Sequence, residues 1–412
     1  MDNKASHVVK GGGFFTIVVY MFFVACLILV LAPKDSASQP QSPIKIGLIY
    51  PFTGPTTHLG ERMLRGWEIA FEKVNYTVAG RPVKFIVEDE KGDPSTGLTK
   101  ATKLIEQDRV NVLGGLVNSA VAYAIRDKVD QSKVPLIITM ANAGGLTREQ
   151  RSPYIFRSFA SGGTASHYMA DFVYKELKLR KALFAASDYA YGREHAEMFK
   201  KEFERLGGQV IFESFVPLGT PDFGPYCTKL ADFAGKADVL HYVYSGTDAI
   251  RFVKTAAEVG LKKKFTMTEW GGMEDGYELG QVGAAAEGIY KIQYYCLGVK
   301  TQANQQFLEL NKRKGGYVDV RDYFGYIGAE VVLKALEKIK GNVEAKEEFL
   351  KVMRENEFAS ATGPFKFDPR SQNMLVNLFI SQIREVNGEF GKYQNVILKT
   401  LSQVQDPWWI GR

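Results

Sequence analysis

The residues of this chain best suited to chemistry cluster where an apolar strand hands over to a helix. Glu269 stands out, within Phe265-Thr266-Met267-Thr268-Glu269-Trp270-Gly271-Gly272. A carboxylate at a turn pairs with a cation, and partial desolvation strengthens the pairing; a solvated surface glutamate is the plainer alternative. Trp270 offers a stacking face to a ligand, or else packs between structural elements. The segment Gly114-Gly115-Leu116-Val117-Asn118-Ser119 opens a helix, whose free N–H groups and dipole attract an anion. Asn118 and Ser119 are also good N-caps, and the two roles are compatible. Ala141, Asn142 and Ala143 occupy the turn after the next strand, from Thr139 to Gly144. Phe52 and Thr53 lie at the first turn, Tyr191 in Asp188-Tyr189-Ala190-Tyr191-Gly192, and Tyr244 and Thr247 in Tyr244-Ser245-Gly246-Thr247. Thr247 and its neighbour Ser245 serve equally well as helix caps. Turns of this kind hold a small polar molecule by amides, hydroxyls and aromatic walls, because in open α/β sheets ligands sit beyond the strand tips.

Catalytic machinery is not legible. The chain has no G-x-S-x-G elbow, no P-loop and no complete dinucleotide fingerprint. Its five histidines, His7, His58, His167, His195 and His241, lack metal-ligand spacing. We expect no catalytic residue, no metal and no cofactor.

The elements that must position these turns alternate from Ile44 onward. Strands are expected at 44–50, 83–90, 110–113 and 134–139, with helices between them; one carries Leu64, Trp67, Phe71 and Val74 on a single face. Tyr154 to Phe159 leads to a second series, with strands at 181–186, 209–214, 239–244, 265–268 and 288–295. Helices are expected at 304–314, 323–339 and 343–353, then strands near 375–383 and 393–398. Repeated βαβ units predict parallel sheets with helices on both faces. No low-complexity linker separates the two series, so they are not independently tethered domains.

The chain has 412 residues, enough for two lobes, with 45% apolar and 24% charged residues. Its net charge of +6 is mild over this length, and no dense basic patch with interleaved aromatics marks it for nucleic acid. Lys4 and Lys10 precede an apolar run from Phe14 to Ala32, followed by small residues near Ser36 and Ser38. This reads as an export signal over residues 1–38. The run spans about 19 residues, near bilayer-spanning length, so an uncleaved anchor is the alternative. Cys26 lies inside the run rather than at its end, which argues against lipidation. Export permits a disulfide between Cys227 and Cys296; two separate buried thiols are the expectation.

Several segments together resemble the leucine/isoleucine/valine-type periplasmic binding proteins of ABC importers. They are Ile44-Lys45-Ile46-Gly47-Leu48, Thr53-Gly54-Pro55, Gly60 to Gly66, Val87-Glu88-Asp89-Glu90 with Asp93-Pro94, and Val134-Pro135-Leu136-Ile137. Tyr154-Ile155-Phe156-Arg157, Tyr191-Gly192, Asp222-Phe223 and Ala286-Glu287-Gly288 continue the series. The resemblance implies the type I periplasmic binding protein fold: two Rossmann-like, doubly wound α/β lobes joined by three hinge crossings, near 157–160, 294–297 and 363–368. Lobe one would hold 44–158 plus 297–364, and lobe two 159–296 plus 365–412. It also implies a monomer outside the cytoplasm that captures a small polar solute and delivers it to an ABC permease. Glu269 would take the ammonium of an amino acid, branched-chain or related, and Tyr191 would form a ligand wall. Ala143 stands where the family presents Thr, Asn118 where it presents Ser, and Leu59 where some members present Tyr. An aromatic or aliphatic carboxylate is therefore the second ligand class, and a sensory module on the same fold the second functional class.

Overall fold

The computed structural model describes Met1, residues 42–54 and residues 56–409. The expected export segment, with Cys26 and the run from Phe14 to Ala32, lies outside the described residues. Among the described residues no helix is long and apolar enough to cross a membrane.

The first lobe forms from β1 (Ile44–Tyr50), α1 (Thr57–Glu72), β2 (Thr77–Val78), β3 (Arg81–Asp89), α2 (Pro94–Thr102), β4 (Val112–Gly115), α3 (Ser119–Ser132), β5 (Leu136–Ile138) and β6 (Ile155–Arg157). Its sheet has the order β2-β3-β1-β4-β5-β6. Apart from the short β2–β3 hairpin, which the sequence pattern did not suggest, the strands are parallel. Alternation along β1 sends Ile46 and Leu48 into a core with Trp67 and Phe71, and Ile49 into another with Leu113 and Ile138. Both faces are thus covered, as a parallel sheet requires.

The second lobe contains α4 (Thr164–Lys175), β7 (Lys181–Ser187), α5 (Ala190–Arg205), β8 (Gln209–Val216), α6 (Gly224–Ala231), β9 (Val239–Val243), α7 (Gly246–Glu258), β10 (Thr266–Trp270), α8 (Tyr277–Val282) and β11 (Tyr290–Gln293). The chain then returns to lobe one through α9 (Gln302–Lys314), α10 (Val320–Lys338) and α11 (Lys346–Glu355). It ends in lobe two with β12 (Val376–Gly388) and β13 (Gly391–Val404). The second sheet runs β13-β12-β11-β10-β9-β7-β8. Its last two strands are antiparallel, a tight hairpin where the earlier rhythm gave parallel crossovers. Cys227 and Cys296 are both free and buried.

Helix α10 packs along α1 more closely than side chains normally allow. A Cβ on Gly66 would lie 2.1 Å from the Asp322 carbonyl oxygen, and one on Gly325 would lie 1.9 Å from that of Met63. Glycine at both positions lets the backbones touch. The crossing fixes the N-terminus of α10, capped by Asp319 and Asp322 in a capping box. Two of its side chains, Arg321 and Phe324, are thereby delivered to the gap between the lobes.

Candidate functional site

A small cavity of about 20 Å³ lies between the lobes, lined by Met140 and Asn142 after β5, Arg321 and Phe324 of α10, and Phe159 at the first crossing. Lobe two supplies Tyr191, Trp270, Gly271 and Glu274. Four aromatic rings line it, those of Phe159, Tyr191, Trp270 and Phe324, and Phe159 meets Trp270 at 6.0 Å, Phe324 at 4.9 Å and the neighbouring Tyr294 at 4.4 Å between centroids. Gly271 (φ +86°) allows the approach of Tyr191, whose hydroxyl would sit 2.1 Å from a Cβ there.

The polar atoms around this space are conspicuously unpartnered. Asn142 Oδ1, Trp270 Nε1, Tyr294 Oη, Glu274 Oε2 and Arg321 Nε are all buried without a hydrogen bond. A buried polar group normally has a partner, so a cluster of exceptions at one cavity marks where a ligand's polar atoms belong.

Of the sequence-predicted residues, the structure gathers Asn142, Tyr191 and Trp270 at the cavity. The others stand elsewhere, and most are engaged within the protein. Glu269 is fully buried, not solvated, and lies inside β10 rather than in the turn after it. Its carboxylate accepts from Lys291 Nζ at 2.7 Å and from the Gly272 and Met273 amides at 2.9 and 3.1 Å. Burial pushes Lys291 down, but Glu269 and then Glu274 more than offset this and hold the ammonium above its usual range. Lys291 thus fills the place expected for a ligand cation.

The anion-attracting end of α3 faces a carboxyl of the protein itself. Asn118 caps the helix through Ala120 N and donates to the Gly92 carbonyl. The Val117 and Asn118 amides face the buried Glu90; burial raises its carboxyl to about 8 while these amides pull it back. Ser119 Oγ accepts from Ala143 N at 3.2 Å, and Ala141 N donates to the Leu116 carbonyl at 2.9 Å. The Ala143 carbonyl accepts from Arg157. The Phe52 amide and the Thr53 hydroxyl both donate to Asp89 at the rim. Tyr244 packs among Phe223, Tyr242 and Phe252, and Thr247 lies half-buried in the first turn of α7.

Phe159, Met140, Gly271, Glu274, Arg321 and Phe324 were not singled out from sequence. Glu274 follows the Trp270-Gly271-Gly272 turn closely enough to have been considered with it. Arg321 and Phe324 carry no such signal, because α10 reaches the cleft only through its crossing with α1. Among the described residues no group of three or more His, Cys, Asp or Glu side chains is arranged to hold a metal ion.

Two ionic clasps bridge the lobes on either side of the cavity. On one, Arg321 Nη1 of lobe one donates to Glu278 Oε2 of lobe two at 2.7 Å, with Nη2 on the other carboxylate oxygen, and Tyr277 N donates to Asp319 at 3.2 Å. Burial lifts the Glu278 carboxyl to about 8, with Arg321 pulling the other way. On the other, Glu194 of α5 accepts from Gly144 N at 2.8 Å and from Arg148, which also grips Asp406 through two bonds of 2.9 Å.

Comparison with known proteins agrees with this architecture. The family model described as "Periplasmic binding protein" matches residues 43–389. The Leu/Ile/Val-binding protein homolog 6 of Brucella melitensis biotype 1 is 25% identical over 370 residues, covering 88% of this chain and 93% of that protein. An ABC transporter substrate-binding protein from Sphaerobacter thermophilus has a TM-score of 0.82 at 34% identity, covering 89% of this chain and all of that one, 100%. A solute-binding protein of an ABC transporter from Rhodopseudomonas palustris BisB5, solved with 3,4-dihydroxybenzoic acid, has a TM-score of 0.82 at 29% identity, covering 89% and 99%. These relatives are binding proteins rather than enzymes, and the chain belongs to the periplasmic binding protein family, as a substrate-binding protein of the ABC-transporter type.

Proposed function

We propose that this protein captures a small aromatic carboxylate between its lobes outside the cytoplasm and presents it to an ABC permease. One observation carries the choice of ligand: unpartnered polar atoms lie around a cavity lined by aromatic rings, while the glutamate expected to take an ammonium is already engaged by Lys291. Lys291 takes Glu269, whereas Glu90 lies buried with both carboxylate oxygens unpartnered. A free amino acid would have to displace Lys291 from Glu269. A planar ring stacks well on Phe159, Tyr191, Trp270 and Phe324 once these walls part, since the closed cavity of about 20 Å³ has room for roughly one water. Its carboxylate would accept from Arg321 Nε and Trp270 Nε1, which keep their protons pointed at buried space. The Rhodopseudomonas neighbour with 3,4-dihydroxybenzoic acid supports the same class.

The mechanism follows from the two-sided lining. Only with the lobes together do Asn142, Arg321 and Phe324 face Tyr191, Trp270 and Glu274, so a ligand that touches both sets favours the closed form. The hinge would bend at 157–160, 294–297 and 363–368, as the resemblance implies. We expect the mature chain to act as a monomer, exported by residues 1–38.

A thermal-shift screen of benzoates, aliphatic acids and amino acids tests this reading. Ligand at about a hundred times its Kd adds about 2.7 kcal/mol to stability. Stabilisation by leucine or isoleucine with none by any benzoate would overturn it.

A further inference from the structure

A chain of buried side chains runs from the cavity into lobe two. Asn142 Nδ2 lies 3.5 Å from His195 Nε2, His195 Nδ1 lies 2.7 Å from Ser166 Oγ, and Ser166 Oγ lies 3.0 Å from His241 Nε2. His241 Nδ1 ends the chain 2.9 Å from Thr268 Oγ1. All five residues are buried, His195, Ser166, His241 and Thr268 completely. The His195 ring is held between Tyr191, at 4.8 Å, and Trp270, at 5.8 Å and nearly parallel. Burial drives both imidazoles to the neutral form, His241 to about 3, so each has one N–H and one acceptor nitrogen.

The direction of the chain is set at its far end. His241 also bonds to the Thr268 backbone, and a carbonyl can only accept. Nδ1, the nitrogen beside Thr268, therefore carries the His241 proton, and Nε2 must accept from the Ser166 hydroxyl. Ser166 then accepts from His195 Nδ1–H, leaving His195 Nε2 as an acceptor. Only the Asn142 NH₂ can serve it, and that turns Asn142 Oδ1 towards the cavity, where it has no partner.

We propose that His195 is a positioning residue that fixes the amide of Asn142, so that the binding site demands a hydrogen-bond donor, such as a ring hydroxyl, on its ligand. This refinement rests on the aromatic-acid reading above. A ligand lacking the donor would leave Oδ1 buried and unpaired, which costs roughly tenfold to a hundredfold in affinity.

Calorimetric titration of the full chain with benzoate, 3- and 4-hydroxybenzoate and the matching methoxybenzoates provides the test. At least one hydroxybenzoate should bind about tenfold or more tighter than both benzoate and its own methyl ether. His195→Leu and Asn142→Leu should bring that ratio near one, while His195→Gln, whose amide oxygen can accept from Asn142, should preserve it. Equal binding of all three ligand types by the wild type overturns the inference and leaves the aromatic-acid reading standing. If no aromatic acid binds, that reading falls, and histidine ¹⁵N spectra of the unliganded protein still decide the relay. A neutral His195 protonated at Nδ1 is expected; protonation at Nε2 overturns it.

Discussion

The backbone amides at the strand tips of lobe one and the side chains of lobe two and α10 at the floor of the cleft face the same gap in opposite states. At the tips, the backbone amides of Ala141, Ala143 and Gly144 each have an acceptor within the protein, and the exceptions there are the side-chain oxygens of Asn142 and Glu90. Around the cavity, Trp270 Nε1, Glu274 Oε2 and Arg321 Nε are buried with none. A partnered group gains little from a ligand, since one bond is exchanged for another. An unpartnered buried group recovers its whole desolvation cost when a ligand supplies the bond. Selectivity should therefore reside on the unsatisfied side.

That contrast can be broken at several points. Removing the charge of Arg321 by Arg321→Met leaves Glu278 buried without its cation, while Asp319 keeps the Tyr277 and Arg321 amides, and should cost about 3–5 kcal/mol of unfolding free energy. Adding Glu278→Gln should restore part of it, as chemical denaturation would show. Trp270→Ala removes both an aromatic wall and an N–H and should weaken an aromatic acid on the order of a hundredfold by calorimetry. A loss below threefold would move the ligand elsewhere.

Glu90 sharpens the contrast through pH. Its carboxyl rises from an ordinary 4.5 to about 8 in the folded protein, so the folded state holds the proton more tightly than the unfolded chain. Stability from this group is complete below pH 4.5 and declines as pH rises towards 8. Glu90→Gln should therefore gain about 1–3 kcal/mol at pH 7 and flatten the profile, with the two proteins converging at acid pH. A variant less stable than wild type at pH 7 would mean that the charged carboxylate is needed at the start of α3. The smallest effect is expected from Asn118→Ala: about 1 kcal/mol of lost capping, with ligand affinity changed less than twofold. A tenfold loss would return the start of α3 to the site.

Much of the fold was legible because strand and helix periods are written locally. Helix 304–314 and strand 209–214 differ from α9 and β8 by only two residues at one end. The antiparallel ending was not legible, since a strand's apolar pattern does not state its direction. Part of the cleft was also readable: Asn142 and Tyr191 follow strands, and Trp270 ends one, whose tips had to converge. Glu269 shows the limit. Its type and position suggested a ligand carboxylate, but Lys291 is 22 positions away along the chain and sits beside it only because β10 pairs with β11.

The sequence alone carried the alternating elements, the family resemblance and the set of strand-tip residues, because apolar periodicity and turn chemistry act over a few residues. Only the tertiary structure decided which polar groups stay free. That depends on partners from distant segments, such as Glu194 against Gly144, Lys291 against Glu269 and His195 against Asn142, and a buried group's hydrogen bonding is settled by what the fold places within about 3 Å of it.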